Sequence, residues 1–328
     1  MILVTGATGQ VGSDLVPALR ALQGADRVVA SGRRVVPSSP TRGRYESLDV
    51  TDLAQLETLV RRYEIQTIYH LAGMLSARGE QQPERCWQVN VGGLQNVLNL
   101  AQRYHLKVFW PSSIAAFGPS TPKFQTPQDT VQAPTTLYGI TKVTGELLCQ
   151  YYAQQFGVDV RSLRLPGLVS YRAQPGGGTT DFAVEMFYAA LQNRPYTCFV
   201  QPDTRLPMMY MPDAVEAILQ LMRARPEVLS VRSSYNLAAV SFSAQELATE
   251  IRRRVPGFTC RYQPDFRQAI ANSWPVTIDD SRARQDWGWQ PVYGLSNLVK
   301  EMLQQLASRL PLPQADCRQK IEFEEVSC

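Results

Sequence analysis

The run Thr5-Gly6-Ala7-Thr8-Gly9-Gln10-Val11-Gly12 follows a short apolar strand, Ile2-Leu3-Val4, and leads into a segment of helical periodicity from Val11 to Leu22. Three glycines at such a junction permit a tight turn, close approach of an anion to bare backbone, and close packing of helix on strand. That is the first crossover of a parallel sheet shaped to hold a dinucleotide pyrophosphate. No Lys-Ser or Lys-Thr follows the last glycine, so an ATP-type phosphate loop is disfavoured.

The chain continues in kind. Strand patterns are expected at Arg27–Ser31, Tyr45–Leu48, Thr67–Leu71, Leu106–Trp110 and Val158–Arg164. Between them lie helix patterns at Asp52–Arg62, capped by Thr51 or Asp52, and at Pro83–Tyr104 and Thr136–Phe156. Strands alternating with helices predict an α/β fold, a doubly wound parallel sheet with right-handed crossovers. After Pro166 the order loosens, with helices at Asp181–Gln192 and Asp213–Arg223 among prolines and short apolar runs. We therefore expect a dinucleotide-binding core over 1–165 and a smaller C-terminal substrate lobe over 166–311, interleaved with the last strands. A flexible tail is expected over 312–328.

Composition narrows the function classes. A net charge of +4 over 328 residues, with one basic triplet (Arg252-Arg253-Arg254) in an amphipathic segment, gives no nucleic-acid footprint. The six cysteines form no CxxC pair, and with only two histidines no local spacing assembles a metal site. No apolar run is long enough for a membrane span and no signal-like stretch precedes the first strand, so the expected location is cytoplasmic.

Two positions bear on the cofactor. About twenty residues past the last glycine, an acid is expected to bind the adenosine ribose. Here the strand ends Ala30-Ser31-Gly32-Arg33-Arg34. Two arginines invite a ribose phosphate, or else stack on adenine or face solvent, so NAD and NADP both stay open. Further on, Asp49 and Val50 are placed to meet the adenine, Leu71-Ala72-Gly73 to pass beneath a ribose, and Asn90 to bond a backbone turn near the fifth strand.

Tyr138 and Lys142 stand four residues apart in a helix pattern, which puts them on one face. An ammonium beside a phenol favours the phenolate and makes it a usable general base. Ser112 and Ser113 end the fifth strand, where ligands bind in such sheets, and one of the two is expected to bond the substrate oxygen.

The glycine turn, the Ser-Ser pair, YxxxK and Arg164-Leu165-Pro166-Gly167 together resemble the extended short-chain dehydrogenase/reductase family, the branch containing UDP-galactose 4-epimerase. Pro175-Gly176-Gly177-Gly178-Thr179-Thr180-Asp181 and Leu206-Pro207-Met208-Met209-Tyr210-Met211-Pro212-Asp213 resemble the L-threonine 3-dehydrogenases of that family more narrowly, over roughly residues 1 to 310. The resemblance implies a Rossmann fold and metal-free oxidation of L-threonine to 2-amino-3-ketobutyrate. NAD is its usual cofactor, though the family carries an acid where Gly32 stands. It adds Gln10, Val11, Pro166 and Leu168 to the cofactor set, and assigns Ser76, Thr179, Thr180 and Asp181 to the amino acid. Thr179 or Thr180 would also cap the helix that Asp181 opens. It implies a homodimer paired through the two long helices, Pro83–Tyr104 and Thr136–Phe156. A nucleotide-sugar epimerase or dehydratase shares the catalytic trio and is the alternative. A dinucleotide-sensing module without turnover would usually lack the intact Tyr/Lys pair.

Overall fold

The computed structural model describes residues 1–33 and 43–310. Arg34 and the expected tail over 312–328 lie outside the described residues. Seven strands form one parallel sheet in the order β10-β6-β5-β4-β1-β2-β3. They are β1 (Ile2–Thr5), β2 (Val28–Gly32), β3 (Tyr45–Ser47), β4 (Thr67–His70), β5 (Lys107–Ser113), β6 (Val160–Leu165) and β10 (Tyr235–Asn236). This is the expected doubly wound α/β sheet. Its chain reversal lies between β1 and β4, whose register pairs Thr5 with His70, and that reversal opens the crevice above the strand ends.

Helices cover both faces. On one lie α2 (Leu53–Arg62), α5 (Gly93–Tyr104) and α6 (Leu137–Phe156), over a core that includes Leu3, Ile68, Val108 and Trp110. On the other lie α1 (Gly12–Gln23) and α8 (Met211–Arg223), over Val4, Phe109 and Leu163. Adjacent strand residues alternate between the two cores, as the pleat requires. Local chemistry sets the helix ends. Asp52 caps α2 by accepting the Gln55 N–H at 3.0 Å, and Thr136 caps α6 by accepting that of Gly139 at 3.1 Å; each such cap contributes about 1 kcal/mol.

The long helix expected over Pro83–Tyr104 is interrupted. It runs as α4 (Pro83–Trp87), a π-turn at Gln88–Gly92, and then α5. A short helix, α3 (Ser76–Gln81), precedes it where no element was expected. Much of the remaining chain builds a lobe of α7 (Phe182–Leu191), α9 (Ala244–Arg254), α10 (Arg267–Ser273) and α12 (Leu295–Ala307), whereas α11 (Ser281–Trp287) packs beside β10 with Ala283 in the core beneath α1 and α8. The lobe includes a mixed sheet of β11 (Val240–Ser243), β9 (Arg205–Tyr210) and β7 (Gly167–Val169), and a two-strand ribbon of β8 (Tyr196–Cys198) and β12 (Cys260–Tyr262). The lobe's core gathers Phe182, Phe187, Met208, Phe242 and Trp274.

Candidate active site

The glycine turn behaves as a phosphate cradle should. Gly6 has a φ of +67°, and a Cβ there would lie 2.6 Å from the Ala72 nitrogen. At Gly12 it would lie 2.5 Å from the Gly6 carbonyl oxygen. Both contacts are with backbone, so any side chain would open the turn. Gly9 meets only the Gly6 oxygen, at 3.2 Å, and presents bare backbone to the crevice. These features fit a dinucleotide at the N-terminus of α1. Gln10 ties the turn to β7 by donating to the Leu168 carbonyl at 3.1 Å.

One cavity runs from this turn to the lobe. It gathers Gly6, Gly9, Gln10, Val11 and Gly12 with Leu71, Ala72 and Gly73, and it reaches Ser112, Ser113, Tyr138 and Lys142. Pro166, Leu168, Ser76, Thr179, Thr180 and Asp181 line it too. Four expected cofactor residues stand outside its lining. Arg33 is exposed at the end of β2. The Asp49 carboxylate is taken up by Arg85 at 2.9 Å and by the Thr51 hydroxyl at 2.7 Å. Val50 packs under Gly93. Asn90, on the π-turn, clasps Met74 by accepting its N–H at 2.7 Å and donating to its carbonyl at 3.1 Å. The turn it fastens follows β4.

The two serines part company. Ser112 is buried and donates to Glu146 Oε1 at 2.5 Å. Ser113 is the one that faces the Tyr138 phenol, and its hydroxyl accepts the Ala115 N–H at 3.2 Å. Lys142, also buried, donates to the Pro111 carbonyl at 2.7 Å, with its Nζ 5.3 Å from the centre of the Tyr138 ring.

The electrostatics correct one expectation. Burial pushes the Tyr138 phenol up to about 12, with the Ser113 hydrogen bond acting against it. It was expected to be drawn down by Lys142. Instead burial brings the Lys142 ammonium down to about 8, and its proton is committed to Pro111. In so enclosed a site desolvation outweighs a cation that faces elsewhere.

The lobe end of the cavity also departs from expectation. Neither Thr179 nor Thr180 caps α7, and Asp181 turns back to accept the Gly177 and Gly178 N–H groups on one oxygen, each at 2.8 Å. A carboxylate there fixes the glycine loop at the cavity mouth, and burial raises its pKa while those backbone bonds oppose the rise. Across the cavity the Ser76 and Thr179 hydroxyls lie 3.4 Å apart, from α3 and the lobe respectively.

Several lining residues were not among those expected, and two of them stand out. His70 ends β4 with Nδ1 2.9 Å from the Thr5 hydroxyl, its Nε2 buried without a partner, and its pKa taken down to about 3 by burial. The strand-end rule that picked out the serines would have found it. Trp274 follows α10 and closes the lobe side. Its carbonyl and that of Asn272 accept from Lys123, at 3.1 and 2.9 Å. Among the described residues, no three His, Cys, Asp or Glu side chains gather as a metal site, and no helix is long and apolar enough to cross a membrane.

Residues 2–238 match the NAD dependent epimerase/dehydratase family. Among solved structures, the holo form of the GalE-like L-threonine dehydrogenase from Cupriavidus necator is 52% identical with a TM-score of 0.91, covering 93% of this chain and 99% of that one. The L-threonine 3-dehydrogenase from Trypanosoma brucei is 42% identical with a TM-score of 0.91, covering 95% and 98%. An uncharacterized epimerase/dehydratase of Staphylococcus haemolyticus is 47% identical over 311 residues, 94% of this chain and 98% of that protein.

Proposed function

The chain belongs to the NAD dependent epimerase/dehydratase family, and from that premise we propose that it is an L-threonine 3-dehydrogenase. It oxidises the threonine β-hydroxyl to the ketone of 2-amino-3-ketobutyrate, without a metal. The observation that carries the reading is one cavity in which Ser113, Tyr138 and Lys142 face Ser76, Thr179 and Thr180 across a glycine-cradled crevice. Near-full-length likeness to L-threonine dehydrogenases supports it.

An oxidised nicotinamide dinucleotide, when bound, supplies the hydride acceptor and a positive charge. A charge of that sign near Tyr138 favours its phenolate. Gly6, Gly9, Gln10, Val11 and Gly12 would hold the pyrophosphate, and Leu71–Gly73, Pro166 and Leu168 the nicotinamide half. Arg33, Asp49, Val50 and Asn90 would act at the adenosine end or through the backbone they support. Ser113 bonds the substrate oxygen, and Tyr138 accepts the hydroxyl proton as the β-hydrogen departs with its electron pair. Lys142, anchored on the Pro111 carbonyl, would bond the nicotinamide ribose. The Ser76, Thr179 and Thr180 hydroxyls donate to the substrate carboxylate, and Asp181 accepts from its ammonium.

Residues 1–165 thus carry most of the dinucleotide site, and 166–311 complete the amino-acid site with Ser76, Ser113 and Tyr138. Exposed Ile140, Leu147 and Tyr151 on α6, with Trp87 on α4, form the pairing face of a homodimer, to be checked by sedimentation. The deciding assay follows nicotinamide reduction with L-threonine, NAD and NADP in parallel, with a chelator present. Threonine-dependent reduction that survives the chelator supports the reading. Failure with both cofactors, together with turnover of a nucleotide sugar, would replace it with an epimerase or dehydratase.

A further inference from the structure

The end of β5 meets α6 at three successive residues. The Pro111 carbonyl accepts from Lys142, Ser113 faces Tyr138 in the cavity, and the Ser112 hydroxyl donates to Glu146. Tyr138, Lys142 and Glu146 follow one another at four-residue steps, so they share one helix face over about 12 Å of axis. Two of these contacts belong to the proton-transfer site proposed above. The third has no part in the chemistry.

Glu146 is unusually well held for a group with no catalytic task. It is 1% exposed. Arg164 grips it through Nε at 3.0 Å and a terminal nitrogen at 2.8 Å, and Gln132 donates to it at 2.9 Å. Arg164 stands beside Ser112 in the β5–β6 register and also reaches the Gln128 carbonyl and the Asn236 side chain. A buried pair of this kind is weak evidence for stability, because desolvating two charges offsets their attraction. Its value lies in fixing geometry.

We propose that Glu146 is a positioning residue: through Ser112 it registers the end of β5, and with it the Ser113 hydroxyl, against Tyr138 and Lys142. The inference rests on the proposed role of Tyr138 as the proton acceptor. Ser112 is then the link between the ion pair and the site. It does not itself touch the substrate.

The test uses the full chain labelled with [13Cζ]tyrosine, the Tyr138 resonance being the one lost in Tyr138→Phe. Ser112→Ala removes only the link, since Glu146 keeps Arg164. Its Tyr138 resonance should move toward the position seen in Ser113→Ala. Threonine kcat should fall about 10–100-fold, as expected for a sub-ångström to ångström misplacement, with KM nearly unchanged. Glu146→Gln should behave alike, and the double variant should be no worse than the poorer single. If Glu146→Gln does not fold, the Ser112→Ala resonance and its kcat-against-KM split decide alone. An unmoved Tyr138 resonance in Ser112→Ala, even with lowered thermal stability, would reduce the network to a buttress and overturn the proposal. Losses that multiply in the double variant would also overturn it, giving Ser112 a separate role. A wild-type chain that ignores threonine would sink the proposed function, and the resonance would still decide this inference.

Discussion

Lys142 is anchored to Pro111 by a 2.7 Å hydrogen bond from its ammonium to a strand carbonyl, inside a site that leaves the lysine 8% exposed. Burial holds its pKa at about 8 in the folded chain, below the value of about 10.4 expected when unfolded. Between those values the unfolded chain carries the extra proton, so this group's penalty on folding is relieved as pH rises through 8. Tyr138, raised to about 12, acts in the opposite direction only above about pH 10. The urea midpoint of the wild type should therefore gain on that of Lys142→Met from about pH 7.5 to about 9.5. A constant gap across that range would refute the assignment.

Tyr138→Phe keeps the ring and removes only the phenol. Threonine oxidation should drop by about 10²–10⁴-fold, while dinucleotide affinity, read by fluorescence titration, stays close to wild type. Unchanged turnover would remove Tyr138 from the role of base.

Gly32 ends β2, and the nearest atom to a Cβ built there is the Tyr45 hydroxyl at 2.8 Å, the far end of a side chain. An acid at this position would accept ribose hydroxyls and repel a ribose phosphate. Gly32→Asp should shift the NAD/NADP ratio of kcat/KM toward NAD by about tenfold or more, the value of one charge-assisted hydrogen bond. A ratio that stays put would mean Arg33 and its surroundings do not read the ribose.

Asp181 holds two glycine N–H groups of the loop at the cavity mouth. Asp181→Ala should raise the KM for threonine about tenfold or more, with charge-assisted bonds lost, and should speed proteolytic nicking at Gly176–Gly178. An unaltered KM would show that neither the carboxylate nor the loop it fastens meets the amino acid.

Much of this architecture was legible in the chain because it is written locally. The glycine turn, the alternation of strand and helix, and the four-residue step from Tyr138 to Lys142 are short-range patterns with a physical meaning of their own. What escaped is set by contacts distant in sequence. α3 is short and weakly amphipathic, and it packs on α6 through Gly79, whose missing Cβ leaves room for Cys86 and Tyr138. The π-turn inside the expected helix places Asn90 against Met74, sixteen residues away. Ser112 is taken up by Glu146, thirty-four residues away, and Asp181 follows the glycine loop, not the helix it precedes. The expected pull of Lys142 on Tyr138 failed because spacing fixes a shared face, whereas burial and the Pro111 carbonyl decide where the charge points.

The place of β10 at the sheet's edge has a consequence for how the chain comes off the ribosome. β6 pairs with β5 on one side and with Tyr235–Asn236 on the other. Its outer hydrogen-bonding edge stays bare until those two residues are made, several seconds later at about 5–20 residues per second. An unpaired strand edge is a template for the wrong partner. A nascent chain stalled in that interval would display β6, with the buried Arg164 at its end, to whatever strand came past.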